Sequence, residues 1–450
     1  MKKILNSQHS LLIVKELSNR MKDPLTVKKT VLAKNNKNPN PTYEHSNWDD
    51  LSLDGYPGVL LLFSQLDQLF PNEKWDAVAH NYVLEIKKSI EEHSIHSLSM
   101  FGGITGICFS IYEASRNKTR YEKLLNSLHT ILLRFIEKSY FSPLKENLNS
   151  NKSSSPLLYD VIQGVSGIGN YFLKNPEEIF LPVLEEILNL LVKLTGTLEV
   201  EGKKVPGWHL TTELQLNEFD AKRYPKGNFN LGLAHGIPGV LSFLAKAYHQ
   251  RIIVQGHREA IQRIVEWIKK WRMKEKEIYF WDATISFEDE LLEKKPSHSH
   301  PARQGWCYGS PGITRSLYLA GVALNNKELV EYALESFHSV FEMNQQDWQL
   351  PGPTFCHGTS GLLMITHLMA CDTNSKFLFD RVKRLEGLLL DFYKEDTPFG
   401  FKDRAPTKDK GFAEINRAGL LEGASGVLLS LLSLNFPQSL SWQTPFLIDI

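Results

Sequence analysis

The stretch Gly305-Trp-Cys-Tyr-Gly-Ser-Pro-Gly312 contains a Gly-x-x-Gly turn directly before an apolar segment. A second such turn, Gly358-Thr-Ser-Gly361, follows Cys356 and His357. Turns of this form, each with an aliphatic residue after the second glycine, begin at Gly55, Gly103, Gly164, Gly236, Gly309, Gly358 and Gly423. Self-similarity at spacings of 48 to 73 residues indicates a repeat architecture that tolerates insertions between the copies.

Each turn precedes an apolar run, such as 240–247, that is typical of a helix buried on most sides. Ser, Thr or Pro within the turn favours a helix start, where a hydroxyl caps free amides or Pro gives up no bonded N–H. Amphipathic segments such as 181–194 lie between the turns, and residues 11–21 complete that outer set. The pattern predicts an all-α fold of seven buried and seven outer helices. An open solenoid and a closed ring both fit, and we favour the ring because no repeat has the polar face of a solenoid cap.

Three stretches depart from the repeat pattern. Residues 22–47 are basic and rich in Asn and Pro, which predicts a loop. Residues 197–232 and 277–302 mix short strand signals with turns. We interpret these two as insertions into a single domain spanning 1–450, and as a small strand-containing subdomain for substrate or leader-peptide contacts.

Composition restricts the partners and the location. Lys plus Arg and Asp plus Glu both number 51, so net charge gives no argument for nucleic acid or an anionic membrane as partner. No apolar run approaches the roughly 20 residues of a membrane-spanning helix, and the N-terminus lacks a signal-peptide core. A cytoplasmic protein without an integral membrane segment is predicted. Its four cysteines are too scattered for a disulfide framework.

The repeat register predicts one site. If every turn begins a buried helix at the same end of a ring, the residues just before the turns lie together. Most copies carry small or aliphatic residues at the second position before the turn, but two copies carry Cys307 and Cys356, the latter followed by His357. This soft ligand set suits Zn²⁺, and three protein ligands leave a position open, as in catalytic sites. The plain alternative is that the cysteines are small core residues.

Other polar residues near the turns have more than one interpretation. His235 is a fourth ligand, an acid–base group or a hydrogen-bonded helix cap, and its register match with Tyr308 and His357 favours a functional role. Asp160 either orients a histidine or is a solvated loop residue. Arg303 either binds a developing oxyanion or is an exposed surface residue.

The motifs Trp306-Cys-Tyr-Gly-x-Pro-Gly312, Cys356-His-Gly-x-Ser-Gly361 and Leu233-Ala-His-Gly236 resemble those of the lanthionine synthetase C-like family. The resemblance spans roughly 51–433 and is strongest to the stand-alone cyclases of nisin and subtilin type. It implies an α/α toroid of seven inner and seven outer helices, with zinc at one mouth and a small inserted domain for the leader peptide.

The resemblance also implies roles for individual residues. The zinc ligands are Cys307, Cys356 and His357, and the active-site residues are His235, Asp160, Arg303 and Tyr308. Gln304 is a departure, because the nisin-type sequence has an acidic residue there.

The implied activity is intramolecular Michael addition of peptide cysteine thiols to dehydroalanine or dehydrobutyrine in a dehydrated lanthipeptide precursor that carries its leader. His235 or Tyr308 then protonates the enolate. A complex with a dehydratase and a transporter, and membrane association through these partners, are also implied. Alternatives are a glutathione-adding relative and a non-catalytic zinc-containing scaffold that binds peptides. A prenyltransferase is disfavoured, because neither a basic diphosphate pocket nor an Asp among the ligands is evident.

Overall fold

The computed structural model describes residues 2–38, 47–295, 301–407, 409, 411–436 and 440–450. The helices of this part of the chain are α1 (Lys2–Arg20), α2 (Pro24–Val31), α3 (Tyr56–Leu69), α4 (Trp75–Glu92), α5 (Ile104–Ala114), α6 (Glu122–Ile136), α7 (Ser142–Asn149), α8 (Pro156–Tyr159), α9 (Val165–Lys174), α10 (Leu181–Leu194), α11 (Glu218–Arg223), α12 (Ile237–His249), α13 (His257–Lys270), α14 (Phe287–Leu292), α15 (Ser310–Ala323), α16 (Lys327–Ser339), α17 (Thr359–Thr373), α18 (Lys376–Leu390) and α19 (Ala424–Asn435). The strands are β1 (Thr197–Val200), β2 (Lys203–Pro206), β3 (Asn228–Asn230), β4 (Met273–Glu275), β5 (Ile278–Phe280), β6 (Thr284–Ser286), β7 (Asp403–Pro406) and β8 (Phe412–Ile415).

Every glycine turn begins a helix, as the repeat pattern predicts. The first glycine of each turn is the N-cap of the helix that follows. The predicted hydroxyl caps are wrong, because no side chain caps these helices. The hydroxyl of Ser166 instead donates to the carbonyl oxygen of Tyr159 at 2.5 Å, and that of Ser360 to Pro353 at 2.6 Å. These bonds tie the helix start to the loop before it.

We call the seven helices that follow a glycine turn the turn helices, and the amphipathic helices beside them the covering helices. The turn helix α12 is buried from Ile237 to Ala247. The covering helix α13 buries one face, which includes Ile261, Ile264 and Ile268. Burial of each large aliphatic side chain contributes about 1.5–3 kcal/mol, so this division of the sequence is the main source of stability.

The first of two compact units comprises residues 1–97, 101–131 and 350–443. Its turn helices pack in the order α17, α19, α3 and α5, and α19 also packs on α1. Backbone amides of Cys356, Leu420 and Leu53 donate to the carbonyls of Leu421, Leu53 and Phe101 at 3.0, 2.8 and 2.8 Å. The segments before these turns therefore lie side by side, as the register argument predicts.

The second unit comprises residues 98–100, 132–349 and 444–450. Its turn helices α9, α12 and α15 pack in sequence. The amide of Val161 donates to Ala234 at 3.2 Å and the amide of Ala234 donates to Cys307 at 3.4 Å, so the segments before these turns are also adjacent. The indole of Trp306 donates to the carbonyl of Phe446 at 2.9 Å, which ties the C-terminal residues to this unit.

Both predicted insertions contain strands. The hairpin β1–β2 lies in the first, and β3 at its end pairs with β6 of the second. Strand β5 of the second insertion pairs with β4 just before it. Residues 296–300 of the second insertion lie outside the described residues. Assignment of these insertions to one subdomain, and of 1–450 to one domain, stays a prediction.

One expectation about an irregular segment needs correction, and one hairpin was missed. The stretch 22–47 contains a helix, α2, whose N-cap Asp23 accepts a hydrogen bond from the amide of Thr26 at 2.9 Å. Asp followed by Pro is a typical helix start, and the prediction of a loop overlooked it. The hairpin β7–β8 was not predicted at all. Among the described helices, none has the length and apolar character needed to cross a bilayer.

Candidate active site

A group of side chains that could hold a metal ion lies in the first unit. The sulfur of Cys356, a ring nitrogen of His357 and a carboxylate oxygen of Glu422 all lie within 4.8 Å of one another. Cys356 and His357 precede α17, and Glu422 precedes α19. The hydrogen bond from the amide of Cys356 to the carbonyl of Leu421 holds the two segments together. Each of the three side chains is partly exposed, so a substrate group has access to them.

This donor set fits zinc. A thiolate and an imidazole are ligands that Zn²⁺ prefers, and a carboxylate is its common oxygen ligand. Cys356 lies two residues before Gly358, the N-cap of α17. The thiolate of a cysteine is the form that binds metal.

Negative charge surrounds this group. Arg417 pairs with Glu422 Oε2 at 3.1 Å and with Asp403 at 3.1 Å. Asp54 accepts from the backbone amides of Leu421 and Glu422 at 3.0 and 3.4 Å. Burial, together with the charge of Glu422, raises the pKa of Asp54 to about 6 and the pKa of Asp403 to about 7. A bound cation would offset the repulsion between these carboxyl groups and favour their ionised forms.

An acid–base pair lies in the second unit. Asp160 Oδ2 is 2.6 Å from Nδ1 of His235, and its Oδ1 accepts from the amides of Gln163 and Gly164 at 2.6 and 2.8 Å. Asp160 is fully buried, whereas the His235 side chain is 26% exposed. The carboxylate therefore holds the Nδ1–H tautomer, and Nε2 is the nitrogen available to a substrate.

Two opposing effects act on His235. Burial disfavours the imidazolium, but the hydrogen bond and negative charge of Asp160, helped by Cys307, outweigh it and raise the pKa of His235. The raised pKa increases the protonated fraction near neutral pH, which suits a proton donor.

Two further residues with predicted roles have contrasting surroundings. Tyr308 accepts a hydrogen bond from the side-chain amide of Asn230 at 2.9 Å, and burial raises the pKa of its phenol. The phenol therefore keeps its proton. The side chain of Arg303 is exposed and makes neither a hydrogen bond nor an ion pair to the residues that the structure describes.

Gln304 and Cys307, which follow Arg303 by one and four residues, are buried. Gln304 donates from its side chain to the carbonyl of Ala302 at 2.5 Å, and within the described part of the chain its buried Oε1 accepts no hydrogen bond. Cys307 is buried and lies two residues before Gly309, the N-cap of α15.

A family model described as lanthionine synthetase C-like protein matches residues 47–447. The chain belongs to the lanthionine synthetase C-like family. It is 28% identical over 389 residues to the nisin biosynthesis protein NisC of Lactococcus lactis subsp. lactis, with 86% of each chain covered.

A solved structure of nisin cyclase has the same fold as this lanthionine synthetase C-like chain. The TM-score is 0.74 at 24% identity, with 100% of this chain and 98% of that chain covered. The predicted family resemblance and the predicted fold class, an all-α chain of the α/α toroid class with small strand insertions, are both confirmed.

The sequence-predicted residues of this family member fall into the two units. Asp160 and His235 are hydrogen-bonded in one, and Cys356 and His357 are neighbours in the other. Cys307 belongs to the second unit, and its place in the ligand set stays a prediction. The roles of all these residues likewise stay predictions.

Sequence reasoning missed Glu422. It occupies the same register position as His357, one residue before the turn, and this was the signal that would have found it. Sequence reasoning also missed Arg417 and Asp403, because the hairpin that carries Asp403 was not recognised.

Proposed function

We propose that this chain is a zinc-dependent lanthipeptide cyclase. It adds cysteine thiols of a dehydrated precursor to dehydroalanine or dehydrobutyrine and so forms lanthionine and methyllanthionine rings. Family membership supports the proposal, as does similarity to a protein named for nisin biosynthesis. The observation that carries it is the grouping of Cys356 and His357 with a carboxylate, because this reaction needs a site that activates a thiol.

Cys356 and His357 bind the metal in this proposal, and Cys307 is the third ligand, as the family resemblance implies. When bound, zinc keeps a coordinated thiol deprotonated at neutral pH, whereas a free cysteine with a pKa of about 8.5 is mostly protonated.

His235 is the proposed general acid. Addition of a thiolate to the β-carbon creates an enolate, which needs a proton on Cα. The Nε2 of His235 donates this proton, while Asp160 fixes the ring through Nδ1 at 2.6 Å and stabilises the imidazolium. Tyr308 is the alternative donor, because its phenol stays protonated.

Arg303 is proposed to stabilise the enolate oxygen. Its exposed guanidinium makes no hydrogen bond or ion pair to the residues that the structure describes, so no such bond has to break before it meets the substrate. A positive charge near the developing oxyanion lowers the barrier by electrostatic stabilisation.

The proposed partners follow from the reaction. The substrate is a dehydrated precursor with its leader, and the strand-containing segments 197–232 and 277–302 are the proposed leader contacts. No nucleotide-binding motif is evident in the sequence, so a separate dehydratase is proposed to supply the substrate. A transporter is proposed as a second partner because the family resemblance implies one. We place the protein in the cytoplasm, with any membrane association made through these partners.

The test is incubation of the purified protein with dehydrated precursor, followed by thiol alkylation and mass spectrometry. Ring formation leaves the peptide mass unchanged but removes thiols that alkylation would label. Unchanged alkylation of every cysteine would contradict a cyclase. Added glutathione distinguishes a cyclase from the alternative, a glutathione-adding enzyme, because glutathione addition increases the peptide mass.

His235→Asn tests the acid–base assignment. We expect the variant to bind zinc as the unmodified protein does, but to cyclise at least about 100-fold more slowly, because general acid catalysis contributes about 10²–10⁴-fold. Metal analysis and quenched time courses measure the two effects. Full activity in this variant would remove His235 from the mechanism.

A further inference from the structure

We propose that a cavity in the first unit is a further binding site for the precursor peptide, and that it holds a basic side chain of that peptide. The inference rests on the proposed function for the identity of the peptide. The cavity has a volume of about 500 Å³, which lies in the range of ligand-binding sites in proteins. It is lined by none of the residues with roles in the proposed reaction.

Part of the cavity wall is apolar. Leu32, which directly follows α2, lines the cavity together with Leu51 and Ile95. Leu32 is 51% exposed, so a ligand can pack against it without displacing another side chain. Walls of this kind suit the methylene stem of a lysine or arginine, because these side chains bury their stems on apolar surface and keep the charged end in a polar environment.

The polar part of the wall carries an unpaired negative charge. Asp49 is exposed, and its Oδ1 accepts the backbone amide of Leu51 at 3.0 Å. No cationic side chain pairs with Asp49 among the residues that the structure describes. The other two charges in the lining neutralise each other, because Nζ of Lys28 is 2.7 Å from Oδ2 of Asp50. The cavity is therefore complementary to a cation rather than to an anion.

The cavity lies within reach of a peptide that is bound at Cys356 and His357. Gly102 lines the cavity and follows Phe101. Backbone hydrogen bonds join the segment of Cys356 to the segment of Phe101 through two intervening segments of the first unit. Since hydrogen-bonded neighbours lie about 5 Å apart, Cys356 and Phe101 are at most about 20 Å apart. About six residues of extended peptide span this distance.

A contact in the cavity affects the affinity for the precursor and not the chemistry. It raises the local concentration of the rest of the peptide at the reacting groups. It is the same before and during ring formation, because the basic side chain is remote from the bonds that change. Loss of such a contact raises KM and leaves kcat unchanged.

The test compares Asp49→Asn and Ile95→Trp with Asp380→Asn at pH 8, where exposed histidines are neutral. Asp49→Asn removes the charge and keeps an oxygen for the amide of Leu51. Ile95→Trp fills the cavity without changing a charge. Asp380 is the matched control, since it is exposed in the first unit but pairs with Lys383 at 3.2 Å and does not line the cavity. Circular dichroism confirms that each variant is folded.

Two measurements are made on each protein. Ring formation at several concentrations of dehydrated precursor gives kcat and KM separately. Photochemical cross-linking then locates binding independently of the reaction. The probe is a short peptide without cysteine that carries one lysine beside a benzoylphenylalanine, and its analogue has glutamine in place of lysine. Mass spectrometry of the digested protein identifies the residues to which each probe is attached.

We expect Asp49→Asn and Ile95→Trp to raise KM about five- to tenfold with kcat unchanged, and Asp380→Asn to match the unmodified protein. The lysine probe should attach to residues 93–96, which line the cavity. Its yield there should fall about five- to tenfold in Asp49→Asn, and the glutamine probe should give a similarly low yield with the unmodified protein.

Equal yields with the lysine and glutamine probes, or an unchanged KM in Asp49→Asn, would overturn the inference. Lysine-dependent attachment at residues 93–96 in a protein that forms no rings would instead contradict only the proposed function.

Discussion

At the scale of single residues, the negative charge of Asp160 acts on His235, whereas its hydrogen bonds to backbone amides hold the local structure. The two effects can be tested separately. Its Oδ1 accepts from two backbone amides, and its Oδ2 faces His235. An asparagine can keep the first set of bonds through its carbonyl oxygen, but it cannot provide the negative charge. Substitution by Asn therefore isolates the effect on His235.

We predict that Asp160→Asn slows ring formation at least about 100-fold with little change in thermal stability, because the imidazolium loses its stabilising charge. Alkylation time courses measure the rate and circular dichroism measures the unfolding midpoint. Near-normal activity in Asp160→Asn beside an inactive His235→Asn would show that Asp160 does not act through His235.

His257 makes stability depend on pH without touching the proposed site. It is 1% exposed, its Nε2 bonds the carbonyl of Leu244 at 3.0 Å, and burial lowers its pKa to about 4. An unfolded histidine titrates near 6.5, so the unfolded chain binds more protons between these values. The stability from neutral His257 is complete above pH 6.5 and is lost as pH falls towards 4.

We predict that between pH 7 and 5 the unmodified protein loses about 2 kcal/mol more stability than His257→Gln. Glutamine still donates to Leu244 but does not titrate, and the other titrating groups are shared by both proteins. Thermal unfolding at a series of pH values measures the difference. Parallel curves for the two proteins would show that His257 does not contribute.

At the scale of elements, the glycine turns determine where the buried helices begin. Gly309 has a φ of +102°, a backbone angle that residues other than glycine rarely adopt. A Cβ added there would overlap the carbonyl oxygen of Arg303. Gly387 lies inside α18 with nothing within 4 Å of an added Cβ. Substitution by alanine is therefore expected to have opposite effects on stability at these two glycines.

We predict that Gly309→Ala destabilises the protein by about 2 kcal/mol or more, because both strain and overlap oppose it. Gly387→Ala should stabilise by about 0.5–1 kcal/mol, because alanine favours a helix interior. Denaturant unfolding of the two variants measures both changes. The same sign of change in both would contradict a special role for the turn.

At the scale of the whole molecule, folding and metal binding are expected to be separable. The proposed ligands Cys356 and His357 lie in a loop before α17, whereas the buried aliphatic side chains lie on the helices. A chain of 450 residues buries enough apolar surface to fold without a metal.

We predict that a strong chelator abolishes ring formation while the helical circular dichroism signal stays, and that added zinc restores activity. Loss of the helical signal on chelation would indicate a structural metal and favour the scaffold reading. Recovery of activity by zinc alone serves as the control against damage by the chelator.

Several features were predictable because their causes are local. The seven helix starts follow from Gly-x-x-Gly spacing, and the buried or amphipathic character of each helix follows from its own residues. Short elements were less predictable. The helix α2 has eight residues and weak periodicity, and the strands β7 and β8 have four residues each, with Pro406 at the end of one. Where local preferences are weak, tertiary packing decides the secondary structure that such a segment adopts.

By itself, the sequence determined the repeat, its all-α fold class and the candidate residues beside the turns, because these depend on residue type and spacing. Only the tertiary structure decided that Asp160 meets His235 across 75 positions of sequence, and that Glu422 and its partner Arg417 join Cys356 and His357. The physical reason is that hydrogen bonds and ion pairs depend on distances of a few ångströms. Packing of distant segments sets those distances, and no local pattern encodes them.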